Sequence, residues 1–98
     1  MTINKTKKDD QLIIAVEGRI DTVTSPELEE AVKASVGDVE KLVIDLKDVD
    51  YISSAGLRVL LGAHKTMSRK GGLKIVNAAE SIMEIFEVTG FSDILDIG

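Results

Sequence analysis

Leu42-Val43-Ile44-Asp45-Leu46-Lys47-Asp48-Val49-Asp50-Tyr51-Ile52-Ser53-Ser54-Ala55-Gly56-Leu57-Arg58-Val59-Leu60-Leu61-Gly62-Ala63-His64-Lys65-Thr66-Met67 is the stretch that decides the fold. A short apolar run gives way to an acidic segment. That segment ends in two serines and a glycine, and a long amphipathic stretch follows. The spacing predicts strand, loop and helix, with Ser53 and Ser54 at the helix start. Serine is favoured there because its hydroxyl accepts a bond from a backbone N–H that has no intrahelical partner.

The helix is expected over Ser54 to Arg69. At about 100° per residue, Arg58, Lys65 and Arg69 gather on one side with Gly62 and Thr66. Leu57, Val59, Leu60, Leu61, Ala63 and Met67 sweep a wide apolar arc suited to lying on a sheet. Upstream, Lys41 to Leu46 is nearly continuous in apolar residues, which predicts an interior strand covered on both faces. Downstream, Gly71-Gly72 ends the helix and Leu73 to Val76 forms a strand. Asn77-Ala78-Ala79-Glu80 has the spacing of a capping box for a third helix, which Gly90 closes. Phe91 is placed to pack back on Phe86, and Ile94 to Ile97 is a last short strand.

Before the central stretch, Ile3–Thr6 and Leu12–Val16 read as a hairpin joined through Lys7-Lys8-Asp9-Asp10. Gly18 breaks the second strand, and Arg19-Ile20-Asp21 leads into Thr22-Val23-Thr24. A first helix begins near Thr24 or Ser25. Pro26 sits in its first turn, Thr24 and Glu27 hold capping-box spacing, and Gly37 is its stop. The alternation after residue 40 requires parallel strands with right-handed crossovers. The expected fold is one α/β domain over residues 1–98. It has a mixed, mostly parallel sheet of four to five strands flanked by about three to four helices.

Composition narrows the function. The chain has 98 residues, 17 acidic against 12 basic, and a net charge of −5. Nucleic-acid affinity comes largely from Lys and Arg on phosphates, so direct binding to DNA or RNA is disfavoured. There is no cysteine, which excludes thiol catalysis, disulfides and cysteine zinc sites. The first ten residues lack the apolar core of a signal peptide, and no stretch approaches the roughly 20 apolar residues of a membrane span. A cytoplasmic protein without membrane insertion is expected.

Ser54-Ala55-Gly56 matches the second half of the G-x-S-x-G nucleophile elbow, but Ile52 stands where the first glycine belongs. The single histidine, His64, lies about ten residues along the same helix, roughly 15 Å away, so no base reaches Ser54. His64 reads as a partly buried helix residue. Asp21, Asp45, Asp48 and Asp50 lack EF-hand spacing and read as turn and cap residues, with no metal and no cofactor expected. A regulated hydroxyl fits better. Open α/β sheets place ligands at the carboxyl ends of their strands. A phosphate on Ser54 would meet the positive end of the helix and add nearly two negative charges beside Asp48 and Asp50, repelling a partner matched to the unmodified loop.

Val49-Asp50-Tyr51-Ile52-Ser53-Ser54-Ala55-Gly56-Leu57-Arg58-Val59-Leu60-Leu61 resembles the signature of STAS domains, the anti-sigma factor antagonists of bacteria. Gly18-Arg19-Ile20-Asp21 resembles the family's early Gly-x-x-Asp element, and the likeness extends over essentially the whole chain. The resemblance implies a protein-interaction switch and not an enzyme. The unmodified antagonist binds an anti-sigma factor, often a serine kinase, and frees a sigma factor. Phosphorylation ends the binding, and a serine phosphatase restores it. By motif position the acceptor is Ser54, with Ser53 as alternate. Asp21, Asp50, Ser53, Ser54, Ala55, Gly56 and Arg58 form the implied partner surface. Members regulated in this way often carry Asp-Ser-Ser or Asp-Ser-Thr before the glycine. Here Ser53 replaces the acid, which motivates the rival expectation of a non-phosphorylated adaptor in a lipid-transport ABC complex. The chain resembles free-standing antagonists more than STAS segments attached to anion transporters.

Overall fold

The computed structural model describes all of residues 1–98. Strands β1 (Thr2–Lys8) and β2 (Gln11–Ile20) form the hairpin, and helix α1 (Ser25–Ser35) follows. Strand β3 (Lys41–Ile52) leads into α2 (Ser54–Met67), β4 (Leu73–Val76), α3 (Glu80–Thr89) and β5 (Asp96–Ile97). Short 3-10 turns occupy Val36–Asp38 and Phe91–Asp93. The sheet order is β1-β2-β3-β4-β5. Only β1 is antiparallel to its neighbour, and β2 through β5 run parallel. The mixed, mostly parallel sheet expected from the alternation is present.

The strand order advances one position per crossover in a constant direction. With right-handed connections, that places every helix on one side of the sheet. Burial agrees. Leu12, Ile14, Val16, Leu42, Ile44, Leu46, Leu73 and Ile75 are buried on that side, in one cluster with Leu28, Val32, Leu57, Leu60, Met67, Ile82 and Phe86 from the helices. Their neighbours Ile13, Ala15, Val43, Asp45 and Val76 point to the opposite face and stay half-exposed. The central strand is therefore interior to the sheet but covered on one face only. This corrects the expectation drawn from its apolar run.

The larger correction concerns residues 47–52, read as an acidic loop. They continue β3 to Ile52. Between Ala15 and Glu17 the partner on β3 advances from Asp45 to Asp48, and between Gly18 and Arg19 it advances from Val49 to Tyr51. Each step inserts one extra residue in β3, so the segment is a twice-bulged strand. β2 likewise runs through Gly18, which takes a φ of +103° at the second bulge instead of ending the strand. Only glycine adopts that conformation without strain.

Smaller differences concern caps. The hairpin turn is just Asp9-Asp10, with Asp9 left-handed at φ 57° and Lys7 and Lys8 inside β1. The capping boxes expected at Thr24 and Asn77 do not form. Asn77 is itself left-handed (φ 59°), and its amide donates to Asp45 Oδ1 at 3.2 Å. Helix α1 ends at Ser35 and tightens into a 3-10 turn that runs through Gly37, and α2 stops at Met67, short of Arg69. Gly90 closes α3 in the left-handed region as expected, and Phe91 packs partly buried against the core.

Candidate functional site at the carboxyl edge of the sheet

Two loops meet where β2 and β3 end, with Ile20 opposite Ile52, whereas β4 ends at Val76 opposite Asp45. Ser53 N–H donates to the carbonyl of Ile20 at 2.8 Å, which holds the start of α2 against the end of β2. Ser53 is the N-cap residue, and its Oγ accepts from Gly56 N–H at 3.3 Å. Its carbonyl accepts from Leu57 N–H at 2.9 Å. Ser54 is the first residue of the helix and is exposed, and its hydroxyl has no hydrogen-bond partner within the protein. The two serines thus divide the work expected of the pair. One caps, and the other faces solvent beside the unpaired N–H groups of the first turn.

Gly56 makes this arrangement possible. It is buried, and a Cβ there would lie 2.6 Å from Ile20 Cγ2 and 2.8 Å from Ile52 Cγ1. Its part in the structure is to seat the helix rather than to offer a side chain to a partner. Ala55 is half-buried. Asp50 and Arg58 are both exposed, Asp50 near the second bulge and Arg58 one turn into α2.

Asp21 begins the turn between β2 and α1. Its Oδ1 accepts from the N–H groups of Val23 and Thr24, each at 3.0 Å. The Thr24 hydroxyl accepts from Asp21 N–H at 2.9 Å and shares its single proton between the Arg19 carbonyl at 2.7 Å and Asp21 Oδ1 at 3.1 Å. The buried Ser25 hydroxyl donates to the Asp21 carbonyl. The N–H of Thr24 above all, with its hydroxyl, Val23 N–H and the Arg19 guanidinium, holds the Asp21 carboxyl below its ordinary value, against a smaller opposing effect of burial. Asp21 is therefore an anionic turn organiser next to Ser53.

Sequence reasoning missed a second feature. Arg19 and Tyr51 are register partners, and the guanidinium lies 4.3 Å from the centre of the tyrosine ring. Arg19 Nε is also 3.8 Å from Asp21 Oδ2. No local signal marks this pair, because the register depends on the bulges. Asp45, counted among acids that could gather a cation, is taken up by Asn77 and by Lys47 N–H at 2.9 Å. No group of three or more histidine, aspartate or glutamate side chains converges to hold a metal ion. No helix is long and apolar enough to cross a membrane.

The motif, the mixed sheet and the serine-capped helix coincide with a known pattern. The family model described as STAS domain matches residues 2–98. The chain belongs to the STAS domain family. The anti-sigma-B factor antagonist of Bacillus subtilis is 33% identical over 98 residues, spanning 99% of this chain and 90% of that protein. That of Listeria monocytogenes is 37% identical over 95 residues, spanning 95% of this chain and 83% of its own. Among solved structures, an anti-sigma factor antagonist from Mycobacterium paratuberculosis superposes with a TM-score of 0.90 at 30% identity, over 98% of this STAS chain and 83% of that one.

Proposed function

We propose that this STAS protein is an anti-sigma factor antagonist. In its unmodified form it binds an anti-sigma factor that is also a serine kinase, and so frees a sigma factor. Phosphorylation of Ser54, with Ser53 as alternate, ends the binding, and a serine phosphatase restores it. The observation that carries this reading is the exposed, uncommitted hydroxyl of Ser54 at the first position of α2, beside Ser53, whose hydroxyl is committed to the cap. The names of the relatives at 33% and 37% identity support the antagonist role.

The physics of the switch is local. The N–H groups of Ser54 and Ala55 have no acceptor within the chain. A phosphate on Ser54 is therefore favoured by those donors and by the helix dipole, and the fold tolerates it. The same phosphate adds about two negative charges to an edge that already exposes Asp48 and Asp50. A partner complementary to the unmodified edge loses affinity while the domain stays folded. Asp21, Asp50, Ser53, Ala55 and Arg58 frame the contact, and no step requires a cofactor or bond-making by this chain.

The test is a titration of purified anti-sigma factor with the wild type and with Ser54→Glu, alongside thermal melts of both. Loss of binding in a variant that melts like the wild type supports the switch. Equal binding overturns it. The second reading, an unphosphorylated adaptor of a lipid-transport ABC complex, draws on Ser53 standing directly before Ser54, where members switched by phosphorylation often carry aspartate. It predicts recovery of transporter ATPase subunits and no phosphate on either serine.

A further inference from the structure

Val23 is a large apolar side chain in the tip of a polar turn, Thr22-Val23-Thr24, and it is 84% exposed. Nothing in the fold requires it there. A valine so placed gains nothing from the domain's own core, and the turn chemistry calls for polar residues or glycine. The backbone beneath it is nevertheless fixed with unusual thoroughness. Asp21 Oδ1 holds the N–H of Val23 itself and of Thr24, Thr24 ties back to Arg19 and Asp21, and Ser25 anchors the base. The turn adjoins the serine loop through the bond from Ser53 to Ile20, the residue before Asp21. A rigid mount for an exposed apolar group lowers the ordering cost of binding, which is the logic of a pre-organised contact.

Tyr51 is 38% exposed and is stacked under Arg19, and tyrosine and arginine are the residue types enriched where binding energy concentrates. Asp21 Oδ1 is occupied, whereas Oδ2 meets only Arg19, at 3.8 Å, and remains open to an outside cation.

We propose that Val23 is an apolar anchor of the partner contact, and that the contact runs from Ser54 along the carboxyl edge to the β2–α1 turn. The occupant is the anti-sigma factor of the preceding section, on whose assignment this inference rests. It receives Val23 in an apolar recess flanked by a basic side chain facing Asp21 Oδ2. The Arg19–Tyr51 pair lies under the same contact and keeps the turn and the strand end in register.

The test uses the full chain and the purified anti-sigma factor of its own organism. Val23→Ser removes the anchor from an exposed site. Val88→Ser is the control, because Val88 is 88% exposed but lies near the end of α3, which starts at the carboxyl edge and runs back to the opposite end of the sheet. The expected result is about tenfold weaker binding for Val23→Ser, unchanged binding for Val88→Ser, and unchanged melting for both. Binding by Val23→Ser within twofold of wild type, while Ser54→Glu loses it, overturns the anchor and leaves the switch standing. Equal loss in the two valine variants also overturns it, because the effect is then not local to the turn. Absence of binding by the wild type overturns the antagonist assignment and this inference with it.

Discussion

Ser53 N–H donates to the carbonyl of Ile20 across 2.8 Å, and through that bond two strand ends become one surface. The β2–α1 turn is positioned by Asp21, one residue beyond Ile20, and the start of α2 is positioned by Ser53. The bond ties the two loops together, so the residues proposed to meet a partner share one backbone-anchored surface.

Seating α2 depends on the missing side chain at Gly56. Ile20 and Ile52 are buried, at 0% and 3% exposure, and have little room to yield to a methyl group at 2.6 and 2.8 Å. Gly56→Ala is expected to destabilise the domain by about 1–3 kcal/mol, as overpacking does. Urea unfolding checks this, and amide chemical shifts of Ser53 and Ser54 should report a displaced helix start.

The two serines should separate by stability. Ser53→Ala removes the cap to Gly56 N–H, and a loss of about 1 kcal/mol is expected. Ser54→Ala removes a hydroxyl with no partner, and a change within about 0.5 kcal/mol is expected. Parallel denaturation curves decide it. If the variants rank in reverse, the division of roles between the serines is wrong.

Gly62 lies inside α2, exposed, and beyond its chain neighbours and the helix's own backbone nothing lies within 4 Å of where a Cβ would stand. Neither conformation nor packing within the chain requires glycine. Gly62→Ala should therefore stabilise the protein by about 0.5–1 kcal/mol, read as a higher urea midpoint.

Asp21 gives the site a pH dependence with a defined sign. Its pKa is lowered from the ordinary 3.8 in the folded state. The unfolded chain thus binds a proton first as acid is added. The carboxylate's contribution is complete above the unfolded value and disappears as pH falls through the lowered folded one. Asp21→Asn should reduce stability at neutral pH and flatten the acid limb of a melting-temperature profile. A profile parallel to that of the wild type would contradict this.

Much of this was legible from local pattern. Apolar runs at Leu12–Val16 and Leu42–Leu46, helical spacing from Leu57 to Met67, and the serine pair before Gly56 gave the alternation and the site. The acidic stretch Lys47–Ile52 was not legible as strand, because two bulges replace the two-residue alternation with buried positions three apart, at Leu46, Val49 and Ile52. A bulge depends on the partner strand, which local sequence does not encode. The Thr24 capping box failed for a similar reason. Asp21 competes for the Thr24 hydroxyl, and only the bend after Ile20 brings them together. The Arg19–Tyr51 stack needs the shifted register, so it too was out of reach. Val23 did carry a signal, a lone apolar residue between threonines in a turn, but its exposure had to be seen.

The most direct measurement is to incubate the protein with the proposed anti-sigma factor kinase and ATP, map the phosphate by mass spectrometry, and titrate the modified and unmodified forms against that anti-sigma factor. The account predicts phosphate on Ser54, none on Ser54→Ala, and binding by the unmodified form alone, with both forms equally folded. Phosphate absent from both serines, or equal affinity of the two forms, would contradict it.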